Sequence, residues 1–242
     1  MGNLRCRRAG GRPRDAGRPR RAGLPLHAGG KHLDGALEPR VIGSIVEYLF
    51  APADPEAVIE KLAAPATRIV PLTITEGGYN THPVTGEFDA SDPEVAPDLE
   101  RGAVPCSMFG LVNRGTCSAP GPRHGPFTVM SCDNIPGNGD VARQAFTTFA
   151  GLRDGELGEW VGRAVAFPNS MVDRITPVTT QEDRTLLSER FGVEDAWPVV
   201  CEPFTQWVLE DSFADGRQRL QDAGVQLVGD VEPRVERRKR FR

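Results

Sequence analysis

Pro126-Phe127-Thr128-Val129-Met130-Ser131-Cys132-Asp133-Asn134 is the stretch on which the reading of the fold turns. A short apolar run gives way to polar residues. Beyond them Val141, Ala145, Phe146, Phe149 and Leu152 recur at three- and four-residue spacings. A buried strand followed directly by a helix with one apolar face is the repeating unit of a parallel sheet. In an open sheet of that kind ligands bind outside the carboxyl ends of the strands, so polar residues that close apolar runs are the first candidates for function.

The same alternation extends outward from this stretch. Upstream, the β-branched run 41–49 predicts a strand. Asp54 as N-cap and Pro55 at the first helical position predict a helix that carries Val58, Ile59 and Leu62 and stops at Pro65. Residues 68–75 read as a strand entering the Gly77-Gly78 turn, although Pro71 is atypical of a central strand. Downstream, Ala164-Val165-Ala166-Phe167 predicts a further buried strand closed by Pro168-Asn169. Thr180 and Asp183 predict a capped helix that ends at Gly192. Short β-like segments follow at 197–202, 204–209 and 225–228. The prediction is an α/β parallel sheet covered on both faces.

The termini differ from this middle. Residues 1–30 hold eight Arg against one Asp, with seven Gly and three Pro and no apolar periodicity. Residues 234–242 hold five Arg and one Lys against one Glu. With a net charge of −4 overall, the segment between them is strongly acidic. The basic ends carry no stacking aromatics or groove-reading motif, so specific nucleic-acid binding is not expected, and residues 1–30 read as disordered or non-homologous. The five cysteines are scattered without a C-x-x-C pair and the four histidines lack ligand spacing, which argues against a structural metal. No apolar run has the length of a membrane span and no signal-peptide core follows the basic start. A cytoplasmic monomer is the expectation.

Three polar sets close apolar runs: Thr75-Glu76-Gly77-Gly78, Ser131-Cys132-Asp133-Asn134 and Asn169-Ser170-Met171-Val172-Asp173-Arg174. Together with Tyr79, Pro168, Ile175, Glu202-Pro203-Phe204 and Trp207-Val208-Leu209-Glu210-Asp211, they resemble the mannitol dehydrogenase family and its fructuronate and tagaturonate reductase relatives, over residues 31–111 and 125–233. The resemblance implies a Rossmann-type domain with NAD as the usual cofactor. The implied reaction is hydride transfer between a secondary alcohol of a polyol such as mannitol and the corresponding ketose.

Carried over by residue, Asn134 matches an asparagine that donates to the oxygen of the reacting carbon. Asp173 matches an acid near the nicotinamide. Thr75 and Glu76, with Asn134, fall at the cofactor cleft. A neutral amide near a developing alkoxide stabilises charge without titrating. Local readings stand beside these: Asn134 as cap of a helix starting near Pro136, and Asp173 paired with Arg174 or capping a turn. Cys132 reads as a small buried residue, since no base accompanies it. Glu76, Asn134 and Asp173 are expected at one cleft.

Three stretches depart from the family pattern. Residues 1–40 lack its glycine-rich turn, which presents backbone N–H groups to a pyrophosphate. In 112–124, Gly115, Pro120, Gly121 and Pro122 oppose the family's helix. After Pro233 the family's catalytic lysine falls at Arg238, which cannot act as a base near neutral pH. The expectation is a chain lacking the first βα unit and the helical substrate domain, through a reading-frame fault, and catalytically impaired. The alternatives are a non-catalytic remnant or nucleotide-binding fragment, or a hexuronate reductase relative.

Overall fold

The computed structural model describes residues 26–31, 37–82, 84–118 and 126–231. In chain order the elements are β1 (Leu26–Lys31), β2 (Leu37–Ile42), α1 (Pro55–Ala63), β3 (Ile69–Leu72), α2 (Met108–Ser118), β4 (Thr128–Ser131), α3 (Asn138–Arg153), α4 (Gly155–Ala164), β5 (Ser170–Asp173), α5 (Gln181–Phe191), β6 (Val199–Cys201), β7 (Gln206–Glu210) and β8 (Gln226–Val228). The expected basic tail with Arg238, and residues 1–25 of the basic start, lie outside the described residues.

The chain divides into two compact units. The first contains Leu49–Val172 and the stretch from Trp207 onward; the second contains the described residues up to Tyr48 and Asp173–Gln206.

In the first unit β3 and β4 pair in parallel, Ile69 opposite Thr128 through Leu72 opposite Ser131. β7 and β8 also pair in parallel, in a sheet of order β5-β7-β8. All four residues of β4 are buried, as a strand covered on both faces requires. Pro71 is tolerated because β4 is the neighbour of β3 in a two-stranded sheet, leaving the other edge of β3 without a ladder among the described residues. α3 buries Ala142, Ala145, Phe146, Phe149 and Ala150 and packs along α4. Phe109 lies with its ring centroid 5.1 Å from Phe146 and 5.7 Å from Phe149, so the aromatic centre of the core joins α2 to α3.

α1 begins as expected, with Asp54 Oδ1 accepting from Ala57 N–H at 3.0 Å. α2 is a correction. Gly115 was expected to oppose a helix, yet α2 runs through it to Ser118. A Cβ at Gly115 would stand 2.5 Å from Leu62 Cβ, so the missing side chain admits the close approach of α1, and packing outweighs the low helix propensity of glycine. Residues 119–124 lie outside the described residues.

The strand expected at 164–167 is also corrected. α4 continues to Ala164, and Val165 and Phe167 are buried in extended chain tied to β4 by the bond from Val129 N–H to Ala166 O, 3.0 Å. A ladder forms only from Ser170 onward.

In the second unit β1 pairs antiparallel with β2 and parallel with β6. Residues 26–30 fall in the segment expected to be disordered or non-homologous. They form a strand through backbone pairing on both sides, which apolar periodicity does not register. The strand expected at 41–49 instead occupies Leu37–Ile42 and stops where β1 runs out, with Ile42 opposite Leu26. Beyond it the β-branched run has no neighbouring strand among the described residues, and Val46 is 87% exposed. α5 carries the predicted capping box between Thr180 and Asp183 and ends at Gly192 in the left-handed region. Among the described residues no helix is long and apolar enough to cross a membrane.

Candidate functional site

The parallel pairing of β3 and β4 brings their carboxyl ends side by side, and the turns that follow carry Thr75, Glu76 and Asn134. All three are exposed. The two turns are joined by Asp133. Its Oδ1 accepts from Ile74 N–H at 2.9 Å and Thr75 N–H at 2.8 Å, and its Oδ2 accepts from the Tyr79 hydroxyl at 2.7 Å. Tyr79 is fully buried and its hydroxyl also lies 2.5 Å from Ser131 Oγ. Burial, with the Asp133 carboxylate beside it, pushes the Tyr79 hydroxyl well above its ordinary range, so it stays protonated as a donor.

Thr75 has φ 66° and ψ 171°, a conformation otherwise reserved for glycine and costing about 1–3 kcal/mol. It turns the chain from β3 into the 3-10 turn Glu76–Tyr79. Gly77 has open space where a Cβ would stand, whereas a Cβ on Gly78 would lie 2.8 Å from Ile74 Cβ. The tight turn therefore places Glu76 at the rim while Tyr79 returns to the core.

On the β4 side Asn138 is the hub. Only 1% exposed, it donates to Asp133 O at 2.9 Å and Ser170 O at 2.9 Å and accepts from Ser170 N–H at 2.9 Å. Asn169 Oδ1 accepts from Gly139 N–H at 2.8 Å, which holds the first turn of α3, while its Nδ2 reaches Asp140 and Glu210. A Cβ on Gly139 would fall 2.5 Å from Phe167 O, so glycine is required where α3 starts against this segment. The residue capping α3 is Gly137, at φ 61°, not Asn134. The capping alternative for Asn134 falls. Its side chain makes no hydrogen bond among the described residues and faces solvent beside Asp133.

Asp173 is half-buried at the end of β5 and is the first residue of the second unit; the site described here is confined to the first. Its neighbour Arg174 donates to Glu202 O at 3.0 Å. Cys132 is half-buried, and burial followed by the adjacent Asp133 pushes its thiol up to about 11, which leaves it protonated and unreactive near neutral pH.

A cavity of about 780 Å³ lies at the ends of β7 and β8, lined by Asp140, Asn169, Glu210, Asp211 and Asp230 among others. Its carboxylates are already engaged, Asp140 and Glu210 by Asn169 and Asp211 by Arg217 at 2.6 Å. Among the described residues no group of three His, Cys, Asp or Glu side chains is gathered to hold a metal.

The sequence singled out Thr75, Glu76 and Asn134 but not the residues that fix them. Asp133 and Tyr79 lie inside the motifs that carry the resemblance but no local pattern marks their part in the site, and Asn138 lies outside those motifs. The one signal for Asn138 is its place between Gly137 and Gly139, where a buried amide enters a tight backbone crossing.

Residues 34–222 match the family model described as the mannitol dehydrogenase Rossmann domain, and the chain belongs to that family. It is 50% identical over 193 residues to mannitol 2-dehydrogenase of Aspergillus fumigatus, covering 79% of this chain and 38% of that protein. It is also 50% identical over 192 residues to a polyol:NADP oxidoreductase of Gluconobacter oxydans, covering 79% of this chain and 40% of that protein. The mannitol 2-dehydrogenase of Pseudomonas fluorescens, solved as a ternary complex with NAD and D-mannitol, superposes with a TM-score of 0.82 at 46% identity, covering 87% of this chain and 43% of the other. The chain thus spans about two fifths of the length of these relatives. The Rossmann-type α/β domain expected from the motifs is the observed one.

Proposed function

We propose that the first unit is the nicotinamide-binding part of an NAD-dependent polyol oxidoreductase, moving hydride between a secondary alcohol of a mannitol-like polyol and the cofactor to give a fructose-like ketose. The observation that carries this reading is the joining of the β3 and β4 ends through Asp133, which presents Thr75, Glu76 and Asn134 together where an open α/β sheet takes its ligand. The exposed polar rim suits the nicotinamide end of a dinucleotide. When bound, that group supplies the hydride acceptor. Asn134 donates to the substrate oxygen as it gains negative charge, and Thr75 and Glu76 orient the cofactor; Asp173, in the second unit, is given no part in this site. NAD is favoured by the ternary complex of the Pseudomonas fluorescens relative, while the Gluconobacter oxydans relative makes NADP the comparison to run.

Turnover by this chain is proposed to be slow. Arg238 stands where the resemblance places the lysine base, and loss of a general base costs about 10²–10⁴ in rate. A nucleotide-binding remnant is the limiting case of the same reading. The test titrates NADH and NADPH by fluorescence and follows NADH absorbance with mannitol, sorbitol, arabinitol and fructose. Binding of NADH with fructose reduction at least about 10² slower than in the Aspergillus fumigatus relative is the expected outcome. Rates equal to the relative's would overturn the impairment, and no dinucleotide binding would overturn the cofactor site.

A further inference from the structure

We propose that Asp133 is a positioning residue, which locks the Thr75–Glu76 turn to the Asn134 turn so that they meet the cofactor as one rigid rim. This deepens the reading given under Proposed function and rests on it. Two successive amides, Ile74 and Thr75, converge on one oxygen of Asp133, an arrangement that accompanies the positive φ of Thr75. A carboxylate oxygen has the lone pairs to accept both, and bonds of an ionised acceptor are the stronger kind. The other oxygen is held by the buried Tyr79 hydroxyl.

The backbone of Asp133 is fixed as well. Its carbonyl accepts from Ile135 N–H at 2.9 Å and from Asn138 Nδ2 at 2.9 Å. With side chain and main chain both anchored, the next residue, Asn134, has its starting point set, and the strained corner at Thr75 is set by the same carboxylate. Neither turn can shift without breaking a bond to Asp133. Asp133 itself need not touch the reacting atoms.

The experiment compares Asp133→Ala and Asp133→Asn with Val161→Ala, a buried α4 position chosen to lower the melting temperature without altering either turn. NADH affinity and amide exchange at Ile74 and Thr75 are both measured on the full chain. Asp133→Ala is expected to weaken NADH by about tenfold or more and to release protection at both amides while the β3–β4 ladder stays protected. Asp133→Asn keeps one acceptor oxygen for the amides and is expected to fall between wild type and Asp133→Ala; it decides the matter if the alanine variant does not fold. A merely structural role predicts that NADH affinity drops no further than in Val161→Ala, and that outcome overturns the proposal. If the wild-type chain binds no NADH, the cofactor reading fails, and unchanged protection of Ile74 and Thr75 in the variants overturns the lock independently.

Discussion

α3 and α5 are both regular helices that were expected from the sequence, yet they are stabilised in opposite ways. α3 buries seven residues, among them Asn138, Phe146 and Phe149, and has no side-chain N-cap. α5 buries none, and is defined by the reciprocal Thr180–Asp183 capping box at one end and Gly192 at φ 66° at the other. α3 also begins at the candidate site, where Asn138 and Asn169 fasten it to the strand ends. The difference teaches that the site is built on the element that tertiary packing holds rigid, while local hydrogen bonds suffice to define a helix that buries none of its residues. Substitutions should separate the two regimes.

The largest effect is expected at the centre of α3. Phe149 is fully buried and contacts Phe88 and Phe109, so Phe149→Ala should lower stability by about 3–5 kcal/mol in urea unfolding. A loss under about 1 kcal/mol would mean that the aromatic cluster is not a packed core.

The next effect is expected where α3 meets the site. Asn138→Ala removes an amide that serves Asp133 O, Ser170 O and Ser170 N–H inside a buried crossing. Leaving those groups unpaired should cost about 2–3 kcal/mol. NADH affinity should fall alongside, because the main chain under Asn134 loses an anchor. Stability lost with affinity intact would detach the hub from the site.

The sequence made these two helices legible for different reasons. Three- and four-residue spacing of Val141, Ala145, Phe146 and Phe149 reports a buried face, and Thr180, Asp183 and Gly192 report helix ends directly. Elements held by neither signal were misplaced. β1 is made by backbone pairing to β2 and β6, which its Gly29-Gly30 composition does not announce. The β-branched residues beyond Ile42 have strand propensity and, among the described residues, no neighbouring strand to pair with. Gly115 signals a helix breaker locally, but its role is set by Leu62, more than fifty positions away in sequence.

The candidate site was legible to the same degree. Thr75, Glu76 and Asn134 could be chosen because they close apolar runs. The bonds from Asp133 to Ile74, Thr75 and Tyr79 join residues more than fifty positions apart, and no local pattern encodes such a pairing. Asn169 was visible as the end of an apolar run, but its work at the first turn of α3 depends on where the helix lands.

The smallest effect is expected at α5, where Thr180→Ala should test whether capping alone defines the helix. Thr180 Oγ1 accepts from Asp183 N–H at 3.2 Å, and Asp183 Oδ2 accepts from Thr180 N–H at 2.8 Å. Alanine leaves the Asp183 amide without its side-chain partner and also removes the bond the Thr180 hydroxyl donates to Asp183 Oδ2 at 2.8 Å, but it keeps the Thr180 backbone donor to that carboxylate. Removing such a cap costs about 1 kcal/mol, and because Asp183 sits in an exposed turn, water replaces the lost bond and no buried group is stranded. Thr180→Ser, which retains the acceptor, should be close to neutral. Amide exchange at residues 181–183 should accelerate in the alanine variant while the amides of α3 keep their protection, since α3 does not depend on this cap. A loss above about 3 kcal/mol would show that α5 is anchored by burial rather than by its ends, and the contrast drawn between the two helices would fail.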